Sequence, residues 1–346
     1  MPEKIKIVPP LLAIIVIMVT GCSGPAATTN PVTNAKTVTA TSTVTVTTPT
    51  MTPPIPTAYP AGDHTGSLIW DVQTRTYIVH IPPGADSSKS RPLVFCLHGA
   101  GGTADEMVKL TLGGFNTLAD RDGFFVVYPD ALDNKWNDHR DPEFSQSDDV
   151  GFISELIKQF IRNYNVDSKR VYVTGISNGS QMSMCLAREL SDQIAAAAPV
   201  AYSMSEKSAG LPVATLPMSV LVMTGTQDPL VLWEGGEVPD MGGERMIGPM
   251  LSVRDTINTL VAFNQCDPTP TITWLPDKDP GDGTRVGVED YRGGKDGTEV
   301  VLYAIIGGGH TWPGGFHTSQ EGAGGKTCLD IDANEVIWNF FKQHSR

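Results

Sequence analysis

A chain of 346 residues with 40% hydrophobic and 18% charged residues carries enough apolar material for one large α/β domain or two small ones. Its formal net charge of -13 excludes electrostatic capture of nucleic acid, or of anionic headgroups, as its main function.

The N-terminus reads as a targeting segment rather than part of a fold. Lys4 and Lys6 give a positive start, and LLAIIVIMV from Leu11 to Val19 is an apolar run too short to cross a bilayer comfortably. VTGC follows, and its Cys22 resembles the cysteine that is acylated in the lipobox of bacterial-type lipoproteins. Residues 1–21 are therefore expected to be a signal peptide. Cys22 is expected to carry acyl chains, each buried methylene adding about 0.8 kcal/mol of anchoring. From 22 to 60 threonine, serine, alanine and proline dominate, which predicts an extended stalk. The folded domain is expected over 61–346, outside the cytoplasm, with the lipid as its only membrane contact.

Within that domain, strands are predicted around Tyr77, Val94, Val126, Val173, Val222 and Val301, each a short β-branched or aromatic run. Helical spacing joins Val150, Ile153, Leu156, Ile157, Phe160 and Ile161 after Asp148 and Asp149, acids that suit a helix start. Further helices are predicted after Ser177, around Val253 to Val261, and from Ala333 to Phe341. Apolar strands alternating with amphipathic helices predict a mainly parallel sheet covered on both faces. In such sheets, chemistry collects beyond the carboxyl ends of the strands.

VTGISNGS, from Val173 to Ser180, places G-x-S-x-G between a strand and a helix, the context of a nucleophile elbow. A serine hydroxyl is a weak nucleophile and needs a base that is itself oriented by a carboxylate. Asp228 follows the strand around Val222 and is the carboxylate of choice over Asp277, Asp279, Asp282 and Asp290. His310 follows EVVLYAIIGGG and is preferred as base to His317 and His344. The backbone N–H of Asn178 is one expected oxyanion donor, and Ala100 or Gly101 in LHGAGG the other. His98, inside that loop, is assigned a structural role. There is no H-E-x-x-H, no C-x-x-C pair and no P-loop, so no metal or organic cofactor is expected.

Cys96 and Cys185 sit in apolar patterns and are expected to be buried thiols, with Cys266 and Cys328 the expected disulfide. The sequence leaves the oligomeric state open.

The ordered set LHGAGG, YPDALDNKW, DDVGFISELI, RVYVTGISNGSQMS, TGTQDPLV and GGGHTWPGG resembles the secreted esterase family of polyhydroxybutyrate depolymerases and feruloyl or acetylxylan esterases. The resemblance covers about Gly66 to Phe341 and implies an α/β-hydrolase fold. It also implies a triad of Ser177, Asp228 and His310 acting on a polymeric or oligomeric ester. Ser180 and Ala100 stand where the family has glycine and, frequently, cysteine. The family's cysteine before EVVLY is replaced by Arg292-Gly293-Gly294, so the resemblance does not support a disulfide at Cys266. Trp312, two residues past the base, and Trp136 are expected to offer aromatic faces to substrate. The competing readings are a non-catalytic binding module on an esterase fold and a serine peptidase.

Overall fold

The computed structural model describes residues 59–346 apart from 87, 141–143, 212–215, 240–245 and 318–323. The expected signal peptide, Cys22 and the stalk up to residue 58 lie outside the described residues. Among those described, no helix is long and apolar enough to cross a membrane.

In chain order the elements are β1 (Gly62–Trp70), β2 (Gln73–Ile81), β3 (Arg91–Leu97), α1 (Ala104–Leu110), α2 (Gly114–Asp122), β4 (Phe125–Pro129), α3 (Asp149–Tyr164) and β5 (Val166–Ile176). They continue with α4 (Asn178–Glu189), β6 (Ala196–Val200), α5 (Glu206–Ala209), β7 (Ser219–Gly225), β8 (Gly236–Pro239), β9 (Met246–Met250) and α6 (Val253–Asn264). The chain ends with β10 (Thr271–Trp274), β11 (Arg285–Tyr291), β12 (Val300–Ile306) and α7 (Ala333–Phe341).

Ten strands form one sheet in the order β1-β2-β4-β3-β5-β6-β7-β12-β11-β10. The six from β4 to β12 run parallel. Antiparallel pairs close the sheet at both edges, β1 with β2 and β10 with β11. All six predicted strands and all four predicted helices are present. Strand β6, reading AAAPV, was not predicted, because alanine and proline disfavour strands on their own. It is a central strand between β5 and β7, and its small side chains are completely covered.

Side-chain alternation assigns the two faces. Phe95, Val127, Val173 and Ala197 point toward α3 and α4, and Val220, Val222 and Leu302 carry that face on toward α6. The intervening Val94, Cys96, Val126 and Tyr172 point the other way, toward α1, α2 and α7. Asp148 caps α3 by accepting from Gly151 N–H at 2.9 Å, as the acidic start predicted.

The cysteine assignment needs one correction. All four thiols are free and buried. Cys266 lies in the core under α6 and Cys328 in the core on the opposite face, so the sheet stands between them and the expected disulfide is absent. Burial pushes all four thiols up, which keeps them protonated and inert.

Two packing features place the turn after β5. A Cβ on Gly175 would lie 2.7 Å from both Gly179 O and Leu97 O, and one on Gly179 would lie 2.4 Å from Leu97 O and 2.5 Å from His98 O. Only glycine fits where the chain passes this close to the end of β3. The second feature is a buried ion pair, Arg75 to Asp149 at 2.6 Å, with both side chains almost wholly covered. Asp149 also accepts from Asn137 N–H and Ser147 Oγ–H, each at 2.7 Å, so it moors the loop after β4.

Gly179→Ala should overpack this junction and lower stability by about 1–3 kcal/mol, read from urea unfolding. Asp149→Ala, which strands a buried guanidinium, should lower it by about 3–5 kcal/mol in the same measurement.

Candidate active site

Strand β5 delivers Ser177 to the top of the sheet in an unusual backbone conformation, φ 58° and ψ -121°. For a residue with a Cβ this is costly, on the order of 1–3 kcal/mol, and it persists because neighbours pin both peptide groups. Ser177 N–H donates to Val200 O at 3.1 Å, and Ser177 O accepts from Ser180 N–H at 2.9 Å and Gln181 N–H at 3.1 Å. Ser180 Oγ–H adds a 2.6 Å bond to the same carbonyl, a bond that a glycine at this position could not make.

Asp228 sits just past β7 with its side chain fully buried. Its Oδ1 accepts from Leu230 N–H and Val231 N–H, each at 2.8 Å. Its Oδ2 lies 2.8 Å from His310 Nδ1. A carboxylate only accepts, so Nδ1 carries the proton and Nε2 is left to accept. His310 is held from behind, its N–H donating to Gly324 O at 2.6 Å. Ser177 and His310 line one cleft of about 1610 Å³, which Ala100 also lines. Asp228 and His310, 82 positions apart in sequence, are thus joined by a hydrogen bond beside the cleft.

The oxyanion candidates divide. Asn178 begins α4, and a first-turn N–H has no acceptor within its own helix. Ala100 borders the cleft. Gly101 does not serve, because its N–H already donates to Asn134 O at 2.8 Å. His98 behaves as a strut. Its Nδ1 faces Gly99 O at 2.7 Å and its Nε2 accepts from Ala131 N–H at 3.1 Å, so both ring nitrogens are engaged. Burial also pushes its pKa down.

Neither tryptophan is where a substrate platform requires it. Trp136 and Trp312 are both 0% exposed. Trp136 packs 5.1 Å from the His98 ring, and its Nε1–H donates to His98 O at 2.9 Å. Its backbone N–H donates to Asn178 Oδ1 at 2.8 Å, while Asn178 Nδ2–H donates to Trp136 O at 3.1 Å and Asp138 Oδ2 at 2.8 Å. Burial pushes the Asp138 carboxyl up, against the pull of Arg140 at 3.1 Å. Trp312 packs edge-on against Phe115 in the core. Trp136 thus fixes the loop beside the elbow, and Trp312 anchors the segment after His310 to α2. The side-chain role of Asn178 was not legible beforehand, since its partners come from a loop about 40 residues upstream.

Among the described residues, two further groups bring three possible metal ligands within 4.8 Å of one another. In His139, Cys185 and Glu189, Arg188 already holds the Glu189 carboxylate at 2.9 Å. In Asp282, Cys328 and Asp330, the carboxylates accept backbone N–H groups from Thr284, Leu329, Lys278 and Asp279, lacing two loops together.

The fold and the sequence both have close parallels. The acetyl xylan esterase of Aspergillus awamori superposes with a TM-score of 0.50 at 15% identity, over 81% of this chain and 99% of that one, a likeness of fold. NocK of Nocardia uniformis subsp. tsuyamanensis, named as an esterase, is 30% identical over 277 residues, covering 78% of this chain and 79% of NocK. Feruloyl esterase B of Piromyces equi is 29% identical over 279 residues, and the chain spans only 45% of that larger enzyme. The family profile described as esterase PHB depolymerase matches residues 75–241. The chain therefore belongs to this esterase family, on an α/β-hydrolase fold, and is a carboxylic ester hydrolase.

Proposed function

We propose that the protein is an extracellular serine esterase that works through an acyl-enzyme on Ser177, with His310 as base and Asp228 as its orienting carboxylate. The observation that carries this reading is the Asp228–His310 bond of 2.8 Å beside a cleft that His310 shares with Ser177 on its strained turn. Ser177 Oγ attacks the ester carbonyl while His310 Nε2 takes its proton. The developing oxyanion accepts from Asn178 N–H and Ala100 N–H, each donor contributing about 3 kcal/mol in the transition state. His310 then protonates the departing alcohol, and a water activated by the same imidazole releases the acid. These steps are complete without a metal or an organic cofactor.

The lysine-led apolar N-terminus and the VTGC at Cys22 support export and anchoring by lipid at the cell surface, with the Thr- and Pro-rich segment as a spacer. Relatives named for feruloyl and acetyl xylan esters, and the polyhydroxybutyrate profile, define the substrates to test.

Ser177→Ala should cut kcat for p-nitrophenyl acetate by at least about 10³-fold with an unchanged circular dichroism spectrum. Mass spectrometry should find a fluorophosphonate on Ser177 of the native protein; turnover that survives in the variant rejects the assignment, and an unlabelled protein points to a binding module. Asp228→Asn should lower kcat by about 10⁴-fold through the wrong imidazole tautomer, measured by steady-state kinetics.

A further inference from the structure

A second cavity, of about 100 Å³, shares no lining residue with the cleft. It lies on the face of the sheet that α4 and α6 cover, between those two helices and the short α5. Met184, Met204, Met218, Leu260 and Phe263 form its apolar part. Arg188, Thr259 and Phe263 are only partly covered, which leaves a mouth to solvent.

One end of the cavity is polar and incompletely satisfied. Tyr202 is 1% exposed, and among the described residues its hydroxyl has no hydrogen-bond partner, whereas a buried tyrosine usually finds one. Burial pushes this phenol up, which keeps it an O–H donor. The charges that act on it most are Arg188 and Asp138, which also line the cavity, so the hydroxyl faces their end. Arg188 is committed to Glu189 Oε1 at 2.9 Å. Asp138 is buried and accepts from Arg140 N–H at 3.1 Å and Asn178 Nδ2–H at 2.8 Å, which leaves it further acceptor capacity.

The same residues reach the nucleophile's turn from behind. Asp138 fixes the Asn178 side chain. Gln181, another lining residue, donates its backbone N–H to Ser177 O at 3.1 Å and its Nε2–H to Ser203 O at 2.8 Å.

We infer that this cavity is an effector site for a small neutral phenol and, resting on the reading of Asn178 as an oxyanion donor, that its occupant restrains turnover. A ligand hydroxyl can accept from Tyr202 and donate to Asp138. A charged head group cannot serve as well, because a carboxylate would meet Asp138 and an ammonium would meet Arg188, each stripped of water. The body of the ligand follows from the walls. Thioethers pack favourably on aromatic rings, and three methionines stand here. An apolar cavity of about 150 Å³ holds benzene, so one of about 100 Å³ with an open mouth takes a single ring. By donating to Asp138, the ligand competes with Asn178 Nδ2–H for the carboxylate that holds it, and so loosens the residue that presents the oxyanion N–H.

Calorimetry with phenol and with benzene tests the site directly. Tyr202→Phe, which deletes one oxygen and keeps the ring, should weaken phenol by about fivefold and leave benzene unchanged. Ala187→Leu, which fills the cavity from α4, should abolish binding of both, with a melting curve to verify the fold. Should that variant unfold, Tyr202→Phe decides alone. Absence of phenol binding to the native protein, or an affinity that Tyr202→Phe leaves unmoved, overturns the site. The effector role is read from acid release on methyl butyrate, whose leaving alcohol is not a phenol. Saturating phenol should lower kcat by about fivefold with KM unmoved, and Tyr202→Phe should need about fivefold more phenol for the same effect. Phenol that binds but leaves kcat unchanged, or that raises KM alone, overturns the effector role. Because calorimetry needs no turnover, a failure of the Ser177 assignment is distinguishable from a failure of the site.

Discussion

Everything in the site is set by how closely the turn after β5 approaches the end of β3. The carbonyls of Leu97 and His98 occupy the space in which side chains on Gly175 and Gly179 would have to sit. With both positions reduced to glycine, β5 can end, reverse and start α4 within a single residue, and that residue is Ser177. Its strained backbone is held by Val200 from β6 on one side and by the first turn of α4 on the other. Three neighbouring strands therefore share in positioning one hydroxyl. The approach also brings the glycine-rich loop after β3 alongside the serine, where a backbone N–H can face a developing charge.

A second constraint keeps the surrounding loops in place, and it is electrostatic. Asp149 at the start of α3 is buried against Arg75, and its second oxygen gathers Asn137 and Ser147. This draws the loop after β4 across the elbow, where Trp136 and Asp138 grip the Asn178 side chain. Buried charges are tolerated here because each is paired or hydrogen-bonded several times over. Asp228 follows the same rule, holding two backbone N–H groups and the His310 ring. A carboxylate with that many donors is fixed in orientation, and it passes that orientation to the imidazole.

The cleft over Ser177 and His310 is lined by segments from both sides of β5. One side is built by the return of the chain after His310 onto α1, and the other by segments that lace together through Asp282 and Asp330. The rings expected to face substrate serve instead as internal braces. A tryptophan buries more apolar area than most residues, so a loop packed against the core is a favourable place for it. In Trp136 the N–H is satisfied by His98 O.

The sequence alone determined the parts that depend on local patterns: six strands, four helices, the glycine-serine-glycine turn, and the chain order of Ser177, Asp228 and His310. These were legible because strand and helix periodicity, and the steric demand of a tight turn, act over a few residues. What tertiary structure decided depends on burial and on partners distant in the chain. It made a central strand of AAAPV, which has little strand preference but side chains small enough for that position. It put Cys266 and Cys328 on opposite faces of the sheet, committed the Gly101 N–H to Asn134, and turned both tryptophans inward. It also carried Phe316 some 200 residues back along the sequence to the end of α1. No local pattern encodes such meetings, because each arises only when the sheet has assembled and two remote segments compete for the same space.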